Sequence, residues 1–436
     1  MLGVLLLLGA FFSIVTVREQ QPEGARAGRS LSARVVCTAP AGCRIILVER
    51  VGAPDRAFAM TFAGELSRCG RSLTARIPGD PAEVRRALEH EAPPLVVATP
   101  TSSAPAVRSI IASIPALAGV IVVEPASYRW PTFLLPSNLR NIANQIAVIA
   151  ILAVGMTLVI VSGGIDLSVG SLIALSAVCA AGLVGMMGGE ATGAGALLVA
   201  ALTATLLCGL VGLFSGLMVT RFRVPPFIAT LGMMQVASGI AYILSHGKPI
   251  YRLPGFSVVL GRGADPLLGV PWAVWLMVVL YAAAHLVMSR TVFGRHVYAV
   301  GSNAEAARLA GVRVNRVLVA VYLGSGLLAG LGGVITASQL KSGAPTYGLL
   351  YELYVIAAVV VGGTTLNGGE GKILGTLIGA FIIAVIQNGM NLANVESYTQ
   401  KVVLGLVILG AVLLDRLKQR GLARRRGGSE GEGTRG

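Results

Sequence analysis

A broken apolar stretch at residues 146–178 constrains this chain more than any other feature. Its first apolar run stops at the pair Gly163 and Gly164, Asp166 follows, and a small-residue turn at 168–171 leads into a second apolar run. An ionisable residue within a membrane segment is by default a candidate for function. The pattern predicts a membrane helix interrupted where the freed backbone groups face protein or water. A short polar turn between two helices near the membrane surface is the alternative.

Composition places the chain among polytopic membrane proteins. It has 436 residues, of which 54% are hydrophobic and 13% are charged, which is about half the charged fraction of an average soluble domain. The expected fold class is a polytopic α-helical membrane protein with about ten transmembrane segments, some of them broken, and a small inserted α/β domain. The apolar segments are 2–17, 146–162, 167–187, 194–219, 225–245, 270–289, 317–339, 353–366, 373–392 and 401–415.

Basic loops set the expected orientation. The formal net charge is +15, and arginines cluster in the tail 416–436, in the loop 290–316 and just after Thr220. Under the positive-inside rule these regions lie in the cytoplasm, which puts both termini inside and residues 18–130 outside a bacterial inner membrane. The tail is expected to contact anionic lipid. No basic residue precedes the first transmembrane helix, 1–17, and Arg18 follows it, which locally favours the opposite orientation. A cleaved signal peptide is the alternative for these residues, although it would lack the usual positive charge at its start. No nucleic-acid motif is found, and nucleic acid is not an expected partner.

The outer region alternates predicted strands and helices. Residues 18–43 are expected to be a linker, and 44–125 to form a βαβαβαβ unit around a small parallel sheet. Within this unit, Asp80 followed by Pro81 predicts the start of a helix.

The order of these elements and their strand endings resemble the first lobe of a type I periplasmic sugar-binding protein. In that family a sugar contacts the loop after the first strand and the end of the fourth strand. Here the loop after the first strand corresponds to Pro54 to Phe58, and the end of the fourth strand corresponds to Glu124 and Pro125. A non-binding spacer or docking domain is the alternative. The cysteines of this region are Cys37, Cys43 and Cys69, of which the first two could close a short disulfide loop.

A second break repeats the scheme of the first. Residues 359–372 pass from an apolar run through a glycine pair and a polar turn to another apolar run. Two related breaks suggest the duplicated architecture of transporters, and amides and hydroxyls nearby suit a neutral, hydroxyl-rich solute. The residues predicted to line a substrate pathway are Gly163, Gly164, Asp166, Ser168, Ser171, Asn367 and Asn388.

The basic loop 290–316 contains a short predicted helix. Ser302 or Asn303 is placed to cap this helix, and Gly311 is placed to end it. Because the helix is too short to span a membrane, we expect a docking element for a cytosolic partner, with a plain connector as the alternative.

Taken together, these motifs resemble the ribose/xylose/arabinose-type permeases of ATP-binding-cassette (ABC) importers. The resemblance covers residues 131–415, which would form the permease transmembrane domain. The motifs that carry it are 156–171, 223–232, 294–311, 351–353 and 361–364. Two features depart from the family pattern. Tyr354 stands where an acidic or amide residue is usual, and 18–130 replaces a compact outer loop.

The resemblance implies the permease subunit of an importer for a monosaccharide such as a pentose. It also implies a second permease subunit in a homodimer, a periplasmic sugar-binding protein, and separate cytosolic ATPase subunits. ATP and Mg²⁺ would bind to those subunits, with no cofactor on this chain. The residues implied to couple the permease to the ATPase are Asn303, Glu305, Arg308, Leu309 and Gly311.

The chain itself is not expected to be an enzyme. It lacks the Gly-x-x-x-x-Gly-Lys-Ser/Thr pattern that cradles nucleotide phosphates, since Lys372 is followed by Ile373, and no metal-ligand spacing is found. The main alternative function is an ion-coupled carrier acting alone, with Asp166 as its candidate coupling carboxylate. A membrane-anchored sensor is a third hypothesis, but it does not explain the ten segments.

Overall fold

The computed structural model describes residues 1–40, 42–49, 55–91, 93, 95–251, 253–410 and 412–413. Pro54 and the basic tail 416–436 lie outside the described residues. The chain divides into two compact units, one made of Met1–Thr16 with Phe133–Gly436 and the other of Val17–Thr132. It begins with helix α1 (Leu2–Val15).

The unit Val17–Thr132 contains two sheets. Its elements are β1 (Val17–Gln20), α2 (Gly24–Thr38), β2 (Arg44–Val48), α3 (Arg56–Arg68), β3 (Ala75–Ile77), α4 (Pro81–Leu88), β4 (Leu95–Ala98), α5 (Ala104–Ala112), β5 (Ile121–Val123) and β6 (Tyr128–Pro131). Four strands form a parallel sheet in the order β3-β2-β4-β5, and β1 pairs antiparallel with β6. The predicted start of α4 is confirmed, because the Asp80 carboxylate accepts a hydrogen bond from the Ala82 amide at 3.0 Å.

Residues 18–43, predicted to be a linker, contain regular structure instead. They include most of β1 and the whole of α2. Helix α2 buries Ala27, Leu31 and Val35, which share one face at four-residue spacing and pack in one hydrophobic cluster with α3 and the central strands.

The larger unit is helical. After α1 its helices are α6 (Pro136–Val161), α7 (Val169–Met186), α8 (Ala194–Arg221), α9 (Pro226–Leu244), α10 (Val259–Arg262), α11 (Trp272–Arg290), α12 (Val292–Ser302), α13 (Ala304–Leu309), α14 (Val314–Leu340), α15 (Tyr351–Val361), α16 (Ile373–Leu392) and α17 (Ser397–Gly410). In the described part of the chain, seven are long and apolar enough to cross a membrane, namely α6, α7, α8, α9, α11, α14 and α16. Helices α1, α15 and α17 are apolar but shorter, so the expected count of about ten segments stays a prediction.

Helix α14 packs against α6, α7 and α8 at the centre of this unit. Small residues let α8 and α14 approach closely: the position of a Cβ on Gly212 lies 3.1 Å from the Gly326 Cα atom and overlaps the Tyr322 carbonyl oxygen. From Ile146 onward, α6 is buried almost completely. By contrast, α8, α9 and α11 leave large apolar side chains exposed, as expected of helices that face lipid or another subunit.

Candidate functional site

Both helix breaks end the preceding helix in the same way. Gly163 follows α6 with φ +82°, and Gly363 follows α15 with φ +91°, a region that glycine adopts without steric cost. The Gly163 amide donates to the Ile160 carbonyl at 2.9 Å, and the Gly363 amide donates to the Val360 carbonyl at 2.9 Å. The following amide closes a wider turn in each break: the Gly164 amide donates to the Val159 carbonyl at 2.9 Å, and the Thr364 amide donates to the Val359 carbonyl at 3.2 Å. Both are Schellman caps, so the two breaks share their backbone geometry.

The first break is held by the carboxylate of Asp166. One carboxylate oxygen accepts from the Ser168 amide at 2.9 Å and from the Ser168 hydroxyl at 2.6 Å. The other accepts from the hydroxyl of Ser325 on α14 at 2.7 Å. Only 1% of Asp166 is exposed, so the side chain fastens the break to α14 and does not line an open space.

Asp166 is buried deep along α14, but α6 and α7 are each long enough to cross a membrane, so the interrupted helix and the turn between two helices both stay predictions. The partner of Asp166, Ser325, lies eleven residues after Val314, the first residue of α14, which corresponds to about 16 Å along the helix axis. The break is therefore inside the helix bundle. The Ile165 carbonyl beside it accepts from the Thr230 hydroxyl of α9 at 3.3 Å, so the break also contacts α9.

The two breaks meet. The second break, residues 362–372, approaches the first, residues 162–168, where the Gly369 amide donates to the carbonyl of Val161 at 2.8 Å. Because Val161 is the last residue of α6, its carbonyl oxygen cannot accept a hydrogen bond from an amide of that helix. We call these two segments, with residues 298–302 of α12, the break junction.

Helix α12 reaches the second break through Tyr298. Its hydroxyl donates to the Gly371 carbonyl at 2.7 Å. Burial raises the pKa of the Tyr298 phenol, because the charged phenolate is disfavoured away from water. The hydroxyl is therefore protonated, and able to donate this bond, throughout the physiological pH range.

Helices α12 and α13 form a corner with a capped, exposed tip. The Asn303 side chain caps α13 by accepting from the amides of Glu305 and Ala306 at 3.1 and 3.0 Å, so Asn303, rather than Ser302, is the cap. Glu305 and Arg308 form an exposed ion pair at 2.7 Å. Leu309 ends α13 with 83% of its surface exposed. Gly311 follows with φ +84°, as expected for a residue that ends a helix.

A cavity of about 280 Å³ lies beside the start of α7. We call it the α7–α9 cavity. Helix α7 contributes Ser171, helix α9 contributes Gln235, Ser238 and Tyr242, and the segment before α15 contributes residues 345–350. Gln235 and Tyr242 are exposed, so the cavity opens at the surface of the unit. Amide, hydroxyl and aromatic groups line this cavity together with the carboxyl group of Glu352, and polar groups gathered around one cavity can hold a small polar ligand.

The α9 side of this cavity was not among the residues predicted from the sequence. Gln235, Ser238 and Tyr242 are spaced by three and four residues and so share one face of the helix. A polar stripe in an otherwise apolar helix is a signal that could have indicated them.

The seven residues predicted for a substrate pathway do not share one cavity. Gly163, Gly164, Asp166 and Ser168 form the first break, and Ser171 lines the α7–α9 cavity. Asn367 is exposed in the second break. Asn388 lies four turns along α16, where it exchanges two hydrogen bonds of 3.0 Å with Asn138 of α6.

In the unit Val17–Thr132, the residues matched to a sugar-binding lobe have structural partners. Asp55 accepts from the Phe58 amide and caps α3, and it also accepts from the Gly24 amide, both at 3.0 Å. Phe58 is buried. Glu124 forms an ion pair with Arg108 at 2.5 Å. A cavity of about 180 Å³ is lined by residues that include Glu23, Asp55, Phe58, Thr101 and Ser102.

The cysteines of this unit are unpaired. Cys37, Cys43 and Cys69 are all free, so a Cys37–Cys43 disulfide is not formed in this structure. Among the described residues, no group of three or more His, Cys, Asp or Glu side chains is arranged to hold a metal ion.

Comparison with known proteins gives one family. A family model described as the permease component of a branched-chain amino acid transport system matches residues 138–412. The ribose import permease protein RbsC of Escherichia coli strain K12 is 45% identical over 307 residues, covering 70% of this chain and 93% of that protein. RbsC of Bacillus subtilis strain 168 is 46% identical over 307 residues, covering 70% and 92%.

A second group of relatives is named for another sugar. The L-arabinose transport system permease protein AraH of Escherichia coli strain K12 is 38% identical over 290 residues, covering 66% of this chain and 86% of that protein. No solved structure matches the chain significantly.

Proposed function

The chain belongs to the family of transport-system permease components that its residues 138–412 match, and we infer that it is the permease subunit of an ABC importer for a monosaccharide such as a pentose. The observation that carries this proposal is the 45% identity to a ribose import permease over 93% of that protein's length. The L-arabinose permease relative supports the same substrate class.

We propose that the sugar passes the α7–α9 cavity and the break junction. Sugar hydroxyls both donate and accept hydrogen bonds, and Gln235, Ser238 and Ser171 offer both roles at the cavity. Because the cavity opens at the surface of the unit, a second permease subunit placed against α9 would close it. Gly163, Gly164 and Ser168 would shape the neighbouring break. Asp166 would hold that break in place, and Asn367 and Asn388 stay predicted pathway residues.

The importer also needs partners that this chain does not contain. Cytosolic ATPase subunits would bind ATP and Mg²⁺ and hydrolyse the ATP, and a periplasmic sugar-binding protein would deliver the substrate. In the orientation that the positive-inside rule gives, the chain spans the bacterial inner membrane, and both termini and the α12–α13 corner face the cytoplasm. Residues 18–130 then lie outside.

The exposed tip of the α12–α13 corner is the proposed contact with the ATPase. Leu309 presents an apolar side chain to solvent beside the Glu305–Arg308 ion pair, and Asn303 and Gly311 fix the two ends of α13. An apolar anchor with a charged rim is typical of protein–protein contacts.

A double variant at this tip tests the proposal. An exposed ion pair at i,i+3 spacing contributes only about 0.2–0.5 kcal/mol to stability, so Glu305→Ala with Arg308→Ala should leave the unfolding temperature unchanged. We expect ATP-driven pentose uptake into proteoliposomes to fall at least tenfold. The matched control is Arg68→Ala with Glu65→Ala, which removes a second exposed i,i+3 pair in the unit Val17–Thr132. Undiminished uptake in the Glu305/Arg308 variant would remove the coupling role.

A further inference from the structure

Helix α12 touches both helix breaks at one point of its surface. Gly301 packs so closely on the end of α6, just before the first break, that a Cβ there would overlap the Val161 carbonyl oxygen and lie 2.7 Å from the Gly369 nitrogen of the second break. One turn earlier on α12, the Tyr298 hydroxyl holds the Gly371 carbonyl of the second break. Helix α12 therefore contacts both the end of α6 and the residues just before α16.

The contact surface is backbone against backbone. A Cβ on Gly368 would lie 2.9 Å from the Gly301 carbonyl oxygen and 3.0 Å from the Gly163 Cα atom. Three chain segments thus meet through the backbones of Gly163, Gly301 and Gly368, so at this contact a displacement of one segment presses directly on the other two. Closely packed interiors transmit strain because they contain no free volume to take it up.

The two breaks are also bonded to each other. The Gly369 amide donates to the Val161 carbonyl at 2.8 Å, and a Cβ on Gly371 would contact Thr364 at 2.7 Å and Val161 at 2.8 Å. A movement of α12 that displaced one break alone would break this hydrogen bond or force an overlap.

We propose that Tyr298 and Gly301 are positioning residues that make both helix breaks move with α12 as one body, so that a displacement at the α13 tip reaches both breaks together. Both residues belong to the break junction on the proposed path of the sugar, and neither lines the α7–α9 cavity. The inference rests on the proposed function, because it assigns a transport role to contacts inside the permease.

The decisive measurement is the number of sugar molecules imported per ATP hydrolysed by the reconstituted importer. This ratio does not change when a variant merely lowers the amount of folded protein, because uptake and hydrolysis then fall together. A purely structural role for Tyr298 and Gly301 therefore leaves the ratio unchanged, whereas a positioning role lowers it.

The variants are Tyr298→Phe, which removes only the hydroxyl, and Gly301→Ala, which inserts a methyl group between the breaks. The controls are Tyr251→Phe at an exposed tyrosine and Gly324→Ala at a glycine of α14 with open space around it. We expect the ratio to fall about threefold in Tyr298→Phe and at least tenfold in Gly301→Ala, with unchanged affinity for the ATPase subunit and unchanged ratios in both controls.

An unchanged ratio in Tyr298→Phe and Gly301→Ala overturns the inference. If Gly301→Ala does not fold, Tyr298→Phe alone decides, and an unchanged ratio in it overturns the inference equally. Failure of the proposed function gives a different result, since the unaltered chain would then show no sugar uptake driven by ATP.

Discussion

Replacing Asp166 separates a structural role from an ion-coupling role. The carboxylate accepts three hydrogen bonds, two from Ser168 and one from Ser325. Asp166→Ala leaves all three donors without an acceptor in a buried place. Asp166→Asn keeps the shape, because an amide oxygen can accept from Ser168 while the amide nitrogen donates to the Ser325 hydroxyl.

The magnitudes follow from the hydrogen bonds. A hydrogen bond to a charged group contributes about 1.5–3 kcal/mol, whereas hydrogen bonds between membrane helices average about 0.6 kcal/mol. We therefore expect Asp166→Ala to lower the free energy of unfolding by about 3–5 kcal/mol. For Asp166→Asn the expected loss is about 1 kcal/mol, and for Ser325→Ala, which removes one donor, about 1–2 kcal/mol.

The assay combines unfolding in detergent with ATP-driven sugar uptake. For a structural role, uptake per folded molecule in Asp166→Asn stays within about twofold of the unaltered chain, since an amide preserves the break. Two results would refute the reasoning. One is an Asn variant as unstable as the Ala variant. The other is a stable Asn variant that transports nothing, which would support the ion-coupled alternative.

Two further predictions concern packing. Gly212→Ala should lower stability by about 1–3 kcal/mol, since the added methyl group overlaps the Tyr322 carbonyl; Gly195→Ala, which has open space around it, is its control in the same unfolding assay. Asn138→Ala and Asn388→Ala should each cost about 1–2 kcal/mol, and the double variant should cost much less than their sum, because either change breaks the same amide pair. Additive losses in a double-mutant cycle would contradict this pairing.

The apolar runs were predictable because membrane spans are set by length and composition. The segment predicted at 373–392 is α16, Ile373–Leu392, and the segment predicted at 225–245 is α9, Pro226–Leu244. The two breaks were also predictable, since a glycine pair followed by polar residues cannot continue an apolar helix.

Elements that depend on distant partners were not predictable. Strand β1 pairs with β6, with Val17 opposite Pro131, and four residues carry no periodic signal of their own. Helix α2 was not predicted, because Arg26, Arg29 and Arg34 on its other faces give residues 18–43 the composition of a polar linker.

The meeting of the two breaks depends on tertiary structure in the same way. Gly301 lies inside the regular helix α12, so nothing in its local sequence distinguishes it from a helix glycine that touches nothing. Asn388 was predicted as a pathway residue from its polar side chain alone, whereas its pairing with Asn138, 250 residues earlier in the chain, depends on tertiary structure.

The most direct test of the central claim is the energy source for transport. The chain is reconstituted in liposomes with and without its ATPase subunits, and uptake of a labelled pentose delivered by the binding protein is measured with ATP or with an imposed ion gradient. The account predicts uptake only when the ATPase subunits and ATP are both present. Uptake by the chain alone under an ion gradient, abolished in Asp166→Asn, would contradict it.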